Sequence, residues 1–147
     1  MSPERNRSDP APKWFTVEEA DQVLPEVRDL VRVLREIQQR IRTLQEKKAV
    51  EELCWLKEDG TVSPNARAEL ERLELEHRKE LAEFEAALAQ MDRIGAHLKD
   101  LDEGLIDFFA RRNEERVFLC WKQGEDRIRW WHDLESGFAG RRPMEEW

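Results

Sequence analysis

The sequence predicts an α+β protein: a long antiparallel helical hairpin, then a small three-stranded antiparallel sheet packed at the hairpin's open end. Three observations predict it. Between Val27 and Leu98, apolar side chains recur every three or four positions, the period of one helix face. The pattern is cut once, by "KEDGTVSPNA" at 57–66, where glycine and proline stop one helix and open another. Beyond Leu98 the period shortens, and β-branched and aromatic residues gather in the strand-like runs "GLIDFFA", "RVFLCWK" and "RIRWWH".

The elements follow in chain order. "MSPERNRSDPAPK" is polar and carries three prolines, so residues 1–13 read as a disordered arm. Residues 14–147 then form one domain, with the hairpin at 14–99 and the β module at 100–147. In "FTVEEA", Thr16 and Glu19 have the spacing of a capping box, each side chain answering a free backbone N–H of the other. Pro25 lacks an N–H and crowds the turn before it, which predicts a short first helix ending in a kink or a break. Val27, Leu30, Leu34, Ile37, Ile41 and Leu44 then mark a coiled-coil-like seam running to Leu53.

Ser63-Pro64 restarts the helix as N-cap and first helical residue. The second stripe reads Leu70, Leu73, His77, Leu81, Phe84, Leu88, Met91, Ile94 and Leu98. In an antiparallel hairpin facing positions keep a constant sum, here about 118 for a turn near Gly60. That sum sets Leu34 against Phe84 and leaves His77 as the one polar layer. The expected strands are 104–110, 116–122 and 127–132, and in "VFLCW" both faces are apolar, which marks the central strand.

Composition narrows the function. A chain of 147 residues is about one domain. The net charge is −8 with no basic stripe, so neither nucleic acid nor an anionic membrane surface is an expected partner. No run reaches the length of a membrane span. Cys54 and Cys120 form no CxxC and read as reduced, largely buried thiols in a cytoplasmic protein. Extra apolar positions beside the seams, Val31, Val33 and Leu75, predict that another helix packs there, from residues 17–24 or from a second subunit, and a homo-oligomer is expected.

The runs "FTVEEADQVLPEVRDL", "LKDLDEGLIDF", "LCWKQGE" and "WWHDLESGFAGRRP" resemble the bacterial domain of unknown function 2203 family. The resemblance covers nearly all the chain after residue 14. It implies a small cytoplasmic bacterial protein with no established activity, and its specific motifs lie mostly in the C-terminal module.

Chemistry is therefore sought there. His97, Asp102, Asp107 and His132 combine imidazoles with carboxylates, a donor set for a divalent metal as the candidate cofactor, although no spacing among them is diagnostic. His132, Arg141, Asp102, Trp130 and Trp131 form the candidate ligand site: a polar or acid–base group, an anion contact, an orienting acid and an apolar wall. Gly137 and Gly140 bracket Phe138, which is expected to plug the core. Cys120, mid-strand, reads as a small core residue. "ESGFAG" lacks the pattern of a nucleophile elbow. Two function classes remain: an interaction or ligand-binding module, and a small metal- or anion-binding enzyme. The residues do not decide whether the protein is an enzyme.

Overall fold

The computed structural model describes residues 12–54, 60–61 and 63–147. All of the expected N-terminal arm except Pro12 and Lys13 lies outside them. The described chain forms two compact units. One joins the residues up to Glu26 with Arg93–Trp147, and the other is Val27–Asp92.

Helix α1 spans Val17–Leu53 and helix α2 spans Pro64–Ile94. The α1 N-terminus is capped as its sequence requires. Glu19 N donates to Thr16 Oγ1 at 3.1 Å, and Thr16 N donates to Glu19 Oε1 at 3.3 Å. Pro25 does not break the helix, contrary to expectation. The ring sits on the exposed side, while Leu24 and Val27 on either side of it are fully buried. Packing of those neighbours outweighs one missing hydrogen bond. At α2, Ala66 N donates to Ser63 Oγ and Arg67 N to Ser63 O, with Pro64 as the first helical residue.

Two corrections concern the seams of Val27–Asp92. In α1, Val31 is fully buried and Leu30 only half-buried. In α2 the inward stripe is Ala66, Leu70, Leu73, His77, Glu80, Phe84, Ala87 and Met91, an unbroken alternation of four and three. Leu81, one place beyond it, is 42% exposed. Counting leucines had hidden the two alanines, whose small side chains hold seam positions. Glu80 tolerates its half-buried place because Arg40 Nε donates to it at 3.0 Å across the hairpin. That pair sums to 120, close to the expected register.

The sheet has five strands rather than three: β1 (His97–Asp100), β2 (Leu105–Arg112), β3 (Glu115–Lys122), β4 (Trp130–Asp133) and β5 (Arg142–Pro143). They pair in sequence order, all antiparallel. β1 was expected to be the end of the second helix. Gly95, at φ +94°, ends α2 instead, in a conformation that L side chains avoid. β5 is a two-residue edge, where Pro143 loses no ladder bond it needs.

Pairing fixes the faces. Ile106, Phe108, Val117, Leu119, Trp121 and Trp131 share the inner face, and Phe15 meets Phe108 edge-on at 5.0 Å. Phe15 N donates to Phe109 O at 2.8 Å, and Ile128 N donates to Asp21 Oδ1 at 2.7 Å. The start of the chain is thereby fastened to the sheet. Leu34→Ala, at a fully buried site, is predicted to cost about 2–5 kcal/mol in urea unfolding. Leu81→Ala should cost less than about 0.5 kcal/mol; equal losses would overturn the seam assignment.

Candidate functional site

The outer face of the sheet carries Leu105, Asp107 and Phe109 of β2, Phe118 and Cys120 of β3, and Trp130 and His132 of β4. Such a face is expected to be polar where it meets water. Here it is largely aromatic, with a buried polar group at its centre. Asp107 and Cys120 stand opposite each other in register, and His132 stands opposite Phe118, one side-chain step from Cys120. Asp107 is 4% exposed, Cys120 1% and His132 3%. One ligand atom from each lies within 4.8 Å of the other two.

The hydrogen bonds orient the histidine. Its Nδ1 is 2.7 Å from the carbonyl oxygen of Asp133, which can only accept, so Nδ1 carries a proton. Its Nε2 lies 3.2 Å from both oxygens of Asp107. Burial works against charge on the ring, but the Asp107 carboxylate and the Asp133 carbonyl outweigh it and raise the His132 pKa. Cys120 is pushed up to about 12, first by burial and then by the negative charge of Asp107. Alone, it is a thiol and a poor nucleophile.

A pocket of about 260 Å³ opens on this group. Lys99, Leu105, Phe118, Leu134 and Phe138 line it together with the three buried side chains. The loop after β4 closes one side. Asp133 Oδ1 accepts from the backbone of Glu135 and of Ser136, which turns the chain back over the sheet. The turn is tight at Gly140, where a Cβ would lie 2.3 Å from that of Ser136. A larger hollow of about 650 Å³ is lined by Trp14, Arg111, Met144 and Trp147. Its charged side chains Glu18, Glu19 and Arg111 are exposed, so it lacks the desolvated groups that chemistry uses.

The residues anticipated from sequence divide. His132 and Asp107 meet at the pocket floor. His97 lies on the same face, opposite Asp107, with its ring against Phe109 at 4.7 Å, and is not one of the three clustered ligands. Asp102 is exposed in the turn between β1 and β2. Trp131 is buried on the opposite face from His132, with the guanidinium groups of Arg112 and Arg142 over its ring at 4.7 and 5.1 Å. Trp130 shares the outer face, covered by Arg141 at 4.9 Å. Arg141 lies over the Trp130 ring and donates to both oxygens of Glu125 at 2.6 and 2.8 Å. Phe138 is 43% exposed and plugs no core; Arg141 and Lys122 lie over its ring instead. Cys120 was missed as a site residue. The signal was the hairpin register, which brings it opposite Asp107.

The family model described as "Uncharacterized conserved protein (DUF2203)" matches residues 13–144. The chain belongs to this family. The matched span contains Asp107, Cys120 and His132. No curated protein and no solved structure matches the chain. No described helix is long and apolar enough to cross a membrane.

The two thiols should differ sharply. Cys120 is buried as expected, but Cys54, just past the end of α1, is exposed, contrary to expectation. A thiol-specific disulfide reagent is predicted to modify Cys54 at once in the native protein and Cys120 only after denaturation. Rapid native modification of Cys120, read by peptide mass, would contradict its placement.

Proposed function

We propose that the protein is a ligand-binding module whose site is the pocket over Asp107, Cys120 and His132. One observation carries this reading: three ionisable side chains are almost wholly buried together at the floor of an open pocket. A sheet face needing only a lid would be served better by apolar residues, because a buried charged pair seldom repays its desolvation. The pocket is slightly smaller than the roughly 300–1,000 Å³ of most small-molecule sites, which favours a very small ligand. Its walls are apolar at Leu105, Phe118, Leu134 and Phe138, with the Lys99 ammonium over Phe118 at the rim.

An anion site centred on Arg141 has less support, since Glu125 takes up its guanidinium. Assembly through the helices has a different basis: Leu75 and Leu81 on α2 and Val50 and Leu53 on α1 are exposed. Sedimentation at tens of micromolar tests that second reading, and a monomer alone would end it. The unpaired thiols Cys54 and Cys120 fit a reducing compartment and support a cytoplasmic setting.

The pocket reading is tested by NMR with a panel of small carboxylates and azoles as probes. Probes that bind should shift the amides of Lys99, His132 and Gly137. Leu105→Trp, which fills the pocket without altering its polar floor, should abolish those shifts. If no probe binds at millimolar concentration, or shifts persist in Leu105→Trp, the reading fails.

A further inference from the structure

We infer that Asp107, Cys120 and His132 are the three protein ligands of a divalent transition-metal ion of the zinc class, with a fourth position left open to the pocket. The inference rests on the pocket reading and names its ligand.

The donor set is the first argument. A carboxylate, a thiolate and an imidazole offer oxygen, sulfur and nitrogen together. Calcium and magnesium take oxygen ligands, whereas a mixed set with sulfur suits a borderline-soft ion such as zinc. Three protein ligands with one position free is the pattern of zinc sites that do chemistry rather than hold a fold.

Geometry is the second. A charge-assisted N–H···O bond runs to about 2.7–2.9 Å, yet His132 Nε2 stands 3.2 Å from each Asp107 oxygen. For a tetrahedral ion with bonds of about 2.0–2.1 Å to nitrogen and oxygen, the nitrogen–oxygen edge is roughly 3.3 Å. The pair is spaced for a cation between its atoms. The Cys120 sulfur is within 4.8 Å of both, so closing to the roughly 3.6 Å of a sulfur–nitrogen edge needs at most about one ångström of side-chain movement.

The third argument is orientation. Nδ1–H of His132 is committed to the Asp133 carbonyl at 2.7 Å. A metal-bound histidine characteristically donates its other N–H to such a carbonyl, which fixes the ring and aims the free nitrogen at the ion. On binding, the metal replaces the Nε2 proton and the Cys120 thiol proton, and both leave to solvent. The ligands come from three adjacent strands, so the site exists before the metal arrives.

Cobalt(II) is the probe. Protein carrying Cys54→Ser, stripped with chelator, should take up one equivalent of cobalt and develop a thiolate-to-cobalt charge-transfer band, which zinc then removes. In the same background Cys120→Ser should abolish the band. Asp107→Asn and His132→Gln should each weaken cobalt binding about a hundredfold or more, as loss of a ligand must exceed the roughly 10–100-fold loss from an outer-shell change. If these variants fail to fold by circular dichroism, long-range nitrogen NMR of the folded Cys54→Ser protein decides. Zinc should shift His132 Nε2 to the range of a coordinated nitrogen while Nδ1 stays protonated.

No cobalt uptake at a tenfold excess, or cobalt binding undiminished in folded Asp107→Asn or His132→Gln, would overturn the assignment. The two readings separate cleanly. Refusal of cobalt while the NMR probes still occupy the pocket removes the metal alone. Cobalt uptake with no probe binding removes the pocket reading alone.

Discussion

Burying Asp107 and His132 beneath the outer face is tolerable only because each answers the other. An isolated carboxylate there would be costly, and removing one member of a buried pair typically costs about 3–5 kcal/mol. The pair in turn demands that β2, β3 and β4 hold their register, since a one-residue slip would send each side chain to the opposite face. The neighbouring features serve that register. Asp133 tethers the loop after β4 through two backbone N–H groups. Glu125 anchors the β3–β4 turn by accepting from Lys122 N at 2.6 Å and from Arg141. Inner-face packing of Phe108, Leu119 and Trp121, all fully buried, keeps the strands from sliding.

Much of this was legible in the sequence, and the gaps have physical causes. The class, the two helices and strands β2, β3 and β4 follow from periodicity. The capping box at Thr16 and the restart at Ser63-Pro64 follow from local hydrogen-bond chemistry. Pro25 was misread because a proline's local cost is visible in sequence and the packing that offsets it is not. β1 was absorbed into the helix because Leu98 continues the apolar stripe, although Gly95 had already ended α2. The seam of α2 was blurred by leucines that face outward and alanines that face inward.

The site was half legible. His132 and Asp107 stood out as polar groups within aromatic runs. Their meeting depended on strand register, which alternation alone does not set. Alternation does divide the two tryptophans: neighbours along a strand point apart, so Trp130 and His132 share a face that Trp131 cannot. Cys120 was hidden by its surroundings, since a thiol amid Phe118, Leu119 and Trp121 reads as packing until its cross-strand partner is known. Arg141 found its acid not in the cluster but in Glu125, sixteen residues away along the chain.

The strand order β1-β2-β3-β4-β5 has a consequence for how the chain becomes this structure. Each strand pairs with its neighbour in sequence, so the sheet can form hairpin by hairpin with little loop-closure entropy at each step. The inner face is different. Asp21 meets Ile128 across 107 residues, and Phe15 meets Phe108 from nearly as far. Local contacts form fast and distant ones slowly. Once the whole chain is free, the meander can pair first, and its aromatic inner face stays bare until the opening segment returns to cover it. The interval between those two events is when this chain is most exposed to aggregation.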